Sequence, residues 1–222
     1  MNAVNPFRIA VPDDVLDDLQ RRLANTRWPE RECVDGWSQG IPLSYTRSLA
    51  EYWATGYDWR SREAALNRFD QFTTEIDGLD IHFIHQRSPH PDALPLVITH
   101  GWPGSIVEFQ KIIEPLTDPT VYGGRAEDAF HVVCPSLPGF GFSGKPSETG
   151  WGVERIAKAW DTIMARLGYS RYGAQGGDWG AAVTTQIGRN GGNCVAIHTN
   201  MPMARPPKGA KSPGVVGIRG RG

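Results

Sequence analysis

The residues best suited to chemistry lie together in Gly176-Gly177-Asp178-Trp179-Gly180. Their G-x-Nu-x-G spacing is that of a nucleophile elbow, with a carboxylate in the place of serine. Such a turn runs from strand to helix, and its small flanking residues avoid clashes while the nucleophile is lifted clear of the sheet. The helix N-terminus then directs N–H groups at the side chain, which keeps a carboxylate ionised at neutral pH. An ionised carboxylate can attack an alkyl carbon directly, which a serine without its base cannot do. The plain structural alternative is an Asp N-cap in a glycine-rich turn. After Asp178 the sequence has no Asp, Glu or Tyr and a single histidine, His198. The expectation is an attacking group without the partners that complete a turnover.

A second motif, His100-Gly101-Trp102-Pro103-Gly104-Ser105, follows an apolar run directly. Its backbone N–H groups could supply the other wall of an oxyanion hole; alternatively it is a tight turn with a buried, hydrogen-bonded histidine. Two such motifs, each after a strand and in this order, are far more specific than either alone. Gly139-Phe140-Gly141-Phe142-Ser143-Gly144 also matches G-x-G-x-x-G. A dinucleotide site needs a helix starting at the last glycine, whereas the helical pattern here resumes only near Val153. The two phenylalanines are expected to line an apolar pocket instead. His82, His85, His90 and His131 show no metal-ligand spacing, so neither metal nor cofactor is expected. His198 falls inside the last strand pattern and is expected to be a packed core residue rather than a general base.

The elements that must hold these motifs can be read from periodicity. To about Gln71 the pattern is helical: Pro12, Asp13 and Asp14 open a first helix carrying Val15, Leu16, Leu19 and Leu23. A second has Tyr45, Leu49, Tyr52 and Trp53 on one face with Gly56 as its stop, and a third carries Ala65, Leu66 and Phe69. Alternation then takes over in Phe72–Ile76 and Ile81–His85 around Asp77-Gly78, a type I′ hairpin signal. Strands are expected at Leu94–Thr99, His131–Cys134, Tyr172–Gln175 and, as a buried strand, Cys194–Thr199. Helices are expected at Val153–Leu167, stopped by Gly168, and at Ala181–Ile187. A hairpin followed by β-α-β-α units gives an α/β sheet covered on both faces.

The 222 residues suffice for one large domain or two small ones. A net charge of -1 gives no reason to expect nucleic acid or an anionic membrane as partner, and eight Trp suit an apolar core or pocket. Three cysteines, Cys33, Cys134 and Cys194, and no apolar N-terminal segment or membrane span predict a cytoplasmic protein. Residues 205–222, rich in Gly, Pro, Lys and Arg, read as a disordered basic tail. That tail is either RGG-like at Arg219-Gly220-Arg221-Gly222 or a non-native end left by truncation or a shifted reading frame.

Taken with Arg27-Trp28-Pro29, Tyr52-Trp53, Asp58-Trp59-Arg60, Asp77-Gly78 and Asn200-Met201-Pro202, these motifs resemble the microsomal and bacterial type of epoxide hydrolase. The resemblance spans Pro6 to Pro207. It implies a helical epoxide-hydrolase N-terminal segment (residues 1–71) and a partial α/β-hydrolase core (72–204), so an incomplete α/β-hydrolase fold. It also implies that Asp178 opens an epoxide through an alkyl-ester intermediate, with the Trp102 and Trp179 N–H groups as oxyanion hole. Lid tyrosines protonate the opening epoxide in such enzymes, and a histidine oriented by an acid activates water. Here these groups, the lid and the last core strands are expected to be absent, leaving a chain incomplete and inactive alone, with Cys194–Thr199 as a bare sheet edge. The partners implied are a small apolar epoxide and water. Two other readings stay open: a haloalkane dehalogenase-like hydrolase, which also places Trp after an Asp nucleophile, and a non-catalytic binder of apolar ligands.

Overall fold

The computed structural model describes residues 3–202; the tail expected to be disordered lies outside the described residues. The sheet starts earlier than periodicity predicts. Asn5–Phe7 (β1) pairs antiparallel with Gln71–Ile76 (β2), with Pro6 opposite Phe72. Three residues containing a proline carry no alternation signal, and an edge strand is where a proline is tolerated. Three helices follow: Asp13–Ala24 (α1), Leu43–Thr55 (α2) and Trp59–Leu66 (α3). Asp77 and Gly78 adopt φ of 50° and 77°, as a type I′ turn requires, and fold β2 onto Leu79–Gln86 (β3) with Ile76 opposite Leu79.

Leu94–Thr99 (β4), Ile113–Thr117 (α4), Phe130–Pro135 (β5), Val153–Arg166 (α5), Tyr172–Gly176 (β6), Trp179–Asn190 (α6) and Cys194–Thr199 (β7) complete the described chain. The seven strands lie in the order β1-β2-β3-β5-β4-β6-β7, with β5, β4, β6 and β7 parallel. After β5 the chain crosses β4 to reach β6, so the winding direction reverses there. Right-handed crossovers in opposite directions place helices on opposite faces and open a crevice at the C-terminal ends of the central strands.

Both faces are accordingly covered. On one, Phe83, Val97, Val133 and Ala174 pack against Ala157, Trp160, Ile163 and Met164 of α5 and Val183 and Ile187 of α6. On the other, Ile84, Ile98, Val132 and Cys134 meet Leu66, Phe69, Ile106, Phe109 and Ile113. Each large apolar side chain so buried contributes about 1.5–3 kcal/mol. α5 ends as its sequence predicts: Gly168 takes φ +85°, its N–H reaches the Ala165 carbonyl, and the Tyr169 N–H reaches that of Met164.

Two stretches are more exposed than their sequences suggest. α1 and α2 bury no residue; they pack on each other, and Tyr45, Leu49, Tyr52 and Trp53 remain about half exposed. β7 is not a buried strand either: Val195 is 48% and Ile197 46% exposed, because only β6 and the end of α6 lie against it among the described residues. A continuous apolar run is ambiguous between a covered strand and one awaiting a cover. No described helix is long and apolar enough to cross a membrane.

Candidate active site

β6 ends at Gly176 and α6 begins at Trp179, so Asp178 occupies the turn between them with φ 52° and ψ -124°. A non-glycine residue in that region is strained and held only by its surroundings. Those surroundings require small residues. A Cβ on Gly176 would lie 2.1 Å from the Gly180 carbonyl oxygen, and one on Gly180 would lie 2.0 Å from that of Thr99. Asp178 stands at the N-cap position, yet its side chain does not cap α6. It crosses to the loop after β4, where the Trp102 N–H donates to Oδ1 at 2.7 Å. The Trp179 N–H, at the start of α6, also acts electrostatically on the carboxylate. The two donors, Trp102 first and Trp179 second, hold the Asp178 carboxyl below the ordinary carboxylate range, against a smaller opposing effect of desolvation. Gly101 makes the approach possible, since a Cβ there would sit 2.4 Å from Oδ1 of Asp178.

The loop that presents Trp102 is braced from several sides. His100 is buried, with Nδ1 3.0 Å from the Gly101 carbonyl oxygen and Nε2 accepting the Leu137 N–H at 3.1 Å. Beyond the cis Trp102–Pro103 bond, Ser105 and Glu108 form a capping box at the start of a 3-10 turn, Ile106–Phe109. The Ser105 N–H donates to Glu108 Oε1 at 3.2 Å and the Val107 N–H to Ser105 Oγ at 3.3 Å. Below the loop, the buried Trp160 indole N–H donates to Thr99 Oγ1 at 3.0 Å and anchors α5 to the end of β4. The Ser-x-x-Glu spacing is a local signal from which this box could be found, although the reading of the motif above did not include it. The Trp160–Thr99 and His100–Leu137 contacts offer no such signal, because neither has a local spacing to betray it.

The expected site residues therefore come together: Asp178 faces the N–H groups of Trp102 and Trp179 across the β4–β6 crevice. The site is open, with the Trp102 and Trp179 side chains 67% and 56% exposed. His198 is exposed on β7 rather than packed in the core, because the strand that carries it is uncovered. Phe140 and Phe142, expected to line an apolar pocket, each contact a histidine. Phe140 packs edge-on to His100 and Phe142 to His82, each filling one of the two cores. The G-x-G-x-x-G stretch closes as a turn, Gly139 N–H to Gly144 O at 2.9 Å, and the next helix starts at Val153.

The other histidines serve packing. His82 is buried between Ser136 Oγ and Gln71 Oε1, each at 2.9 Å, and burial pushes its pKa down to about 4. His85 meets the Tyr169 hydroxyl at 2.9 Å and is likewise at about 4, through burial and then the charges of Arg87 and His131. Among the described residues, no group of three or more His, Cys, Asp and Glu could hold a metal.

A carboxylate on a strained strand–helix turn, facing a backbone donor from the loop after a neighbouring parallel strand, is the arrangement of the α/β-hydrolase class; residues 95–190 match the alpha/beta hydrolase fold family. Residues 4–109 match the family described as epoxide hydrolase N terminus. The chain thus joins an epoxide hydrolase N-terminal segment to part of an alpha/beta hydrolase fold. A Stigmatella aurantiaca protein provisionally named an epoxide hydrolase is 59% identical over 92% of this chain and 47% of its own length. Epoxide hydrolase 1 of Sus scrofa is 38% identical over 83% of this chain and 42% of itself. The solved structure of Aspergillus niger epoxide hydrolase superposes with a TM-score of 0.82 at 37% identity, over 95% of this chain and 55% of that one. The chain thus spans about half the length of the relatives it matches.

Proposed function

We propose that this chain carries the nucleophilic half of an epoxide hydrolase site, with Asp178 as nucleophile and the Trp102 and Trp179 N–H groups as oxyanion hole. The observation that supports this reading is the Asp178 carboxylate held on a strained elbow with Oδ1 2.7 Å from the Trp102 nitrogen. Oδ2 is then the oxygen left to attack. It forms a bond to an epoxide carbon as the C–O bond of the ring breaks, and the epoxide oxygen leaves as an alkoxide that takes up a proton. Oδ1 remains as the carbonyl oxygen of the new ester. When water adds to the ester carbon, the electron pair moves onto Oδ1, which already faces its donors; collapse restores Asp178 and releases a vicinal diol. Donors placed before the charge develops need no reorganisation during the reaction, which is the source of their effect. The exposed indoles beside Asp178 suit an apolar substrate.

Opening the ring needs a proton donor, and hydrolysis of the ester needs a base. The 222 residues have no Asp, Glu or Tyr after Asp178, and His198 stands exposed on β7. We propose that a polypeptide of these residues alone stops at the ester. Incubated with styrene oxide, it gains one covalent adduct by intact mass, slowly because the open site neither orients nor desolvates the reactants. Asp178→Asn removes that adduct. Steady diol production would overturn the arrest, and an adduct that survives Asp178→Asn would overturn the nucleophile assignment. Chloride release from a haloalkane in place of epoxide labelling would move the reading to the dehalogenase class.

A further inference from the structure

The loop after β4 contains a hydrogen-bonded chain that ends on the nucleophile. His100 is 1% exposed, and both its ring nitrogens are occupied. Nε2 lies 3.1 Å from the Leu137 backbone nitrogen, which can only donate, so Nε2 accepts. Nδ1 lies 3.0 Å from the Gly101 carbonyl oxygen, which can only accept, so Nδ1 carries the proton. The partners fix the tautomer. Burial also keeps the ring neutral: it lowers the His100 pKa against the opposing effects of the Gly101 bond and the Glu108 charge. A second proton would set Nε2–H against the Leu137 N–H.

The Gly101 carbonyl and the Trp102 N–H belong to one peptide unit. The carbonyl end of that unit receives the His100 proton, and its N–H end donates to Asp178 Oδ1 at 2.7 Å. Linked hydrogen bonds polarise one another, by about 10–30% per bond in condensed-phase estimates. Withdrawal of electron density at the carbonyl oxygen makes the N–H at the other end a stronger donor and holds the peptide plane in place. Phe140, edge-on to His100 with ring centroids 5.6 Å apart, packs against the imidazole and helps keep it in this orientation.

We propose that His100, as its Nδ1–H tautomer, is the positioning residue of the oxyanion hole: it orients and polarises the Gly101–Trp102 peptide whose N–H meets Asp178. The inference rests on the reading of Trp102 as an oxyanion-hole donor, and its signature can be read without turnover.

The test uses the 222-residue chain and nuclear magnetic resonance. In the wild type, long-range 1H–15N correlation of His100 should show the Nδ1–H tautomer; the Nε2–H tautomer would overturn the proposal even if no variant folds. Two substitutions then separate the two ends of the ring. The amide of His100→Asn reaches the Nδ1 position and keeps a donor for Gly101, whereas His100→Gln reaches the Nε2 position and keeps only the acceptor for Leu137. His100→Gln should move the Trp102 amide proton upfield and raise the Asp178 carboxyl midpoint toward the ordinary range; His100→Asn should leave both near wild type. Equal shifts in the two variants, or stability losses with an unmoved Asp178 midpoint, would mean a purely structural role. Styrene oxide labelling of the wild type reports separately on the nucleophile assignment. Labelling with no response of Asp178 to His100→Gln removes the positioning role alone.

Discussion

Gly180 and Gly188 lie in the same helix, and changing each to alanine should have opposite effects. In a helix interior, Gly→Ala gains about 1 kcal/mol from reduced backbone freedom. At Gly188 the three atoms nearest the new Cβ all belong to the Ile197 side chain, the closest at 3.1 Å, and Ile197 is 46% exposed and free to give. Gly188→Ala should therefore stabilise by up to about 1 kcal/mol. At Gly180 the new Cβ lies 2.0 Å from the Thr99 carbonyl oxygen and 2.8 Å from that of His100, both backbone atoms. Ordinary contact begins at 3.4 Å, so α6 and β4 must separate by about 1.4 Å (3.4 less 2.0) where both are buried. Overpacking of this kind costs about 1–3 kcal/mol and outweighs the propensity gain. The same movement carries Asp178, at the start of α6, away from Trp102, at the end of β4. Urea unfolding of the chain should then show a lower midpoint for Gly180→Ala, a higher one for Gly188→Ala, and little change in the slope of either. The Asp178 midpoint should also rise in Gly180→Ala. Midpoints that move together, or a stabilised Gly180→Ala with normal styrene oxide labelling, would refute the claim that this glycine sets the distance between the two walls of the site.

Three further outcomes are expected. His82 is neutral in the native protein down to about pH 4, while an unfolded histidine takes its proton near 6.5. The unfolded state binds more protons between those values, so stability should fall as pH drops from 6.5 to 4, by on the order of 3 kcal/mol from this residue, and be unaffected by it above 6.5. Unfolding midpoints that stay flat across that window would contradict the burial of a neutral His82. Val195, 48% exposed on β7, should promote association through the strand's outer edge; Val195→Lys should lower light scattering at high concentration with little change in the unfolding midpoint. Gly101→Ala, whose Cβ would lie 2.4 Å from both Cβ and Oδ1 of Asp178, forces the loop after β4 and the elbow apart, so it should lower the unfolding midpoint and abolish adduct formation. Retained labelling would show that the approach of Trp102 to Asp178 is dispensable.

Local chemistry was enough to single out the two segments that the fold brings together. Gly176-Gly177-Asp178-Trp179-Gly180 and His100-Gly101-Trp102-Pro103 each carry a local mark: a strained turn, or a glycine that the Asp178 side chain approaches closely. Asp77-Gly78 and Gly168 are legible for the same reason, since a left-handed φ leaves its mark on the residue that adopts it. Contacts between distant segments left no such mark. Nothing in the spacing of Asn5–Phe7 announces a strand, because its pairing depends on β2. Nothing in Cys194–Thr199 or in the apolar face of α2 tells whether it will be covered, because hydrophobic pattern records what a surface prefers and not what lies against it. Phe140 and Phe142 could equally have lined a pocket; the approach of His100 from the loop after β4 and of His82 from β3 places them against the core. The sequence determined which groups could react. Tertiary structure decided their alignment, bringing the loop after β4 to the elbow after β6 so that a peptide N–H 76 residues away meets the carboxylate.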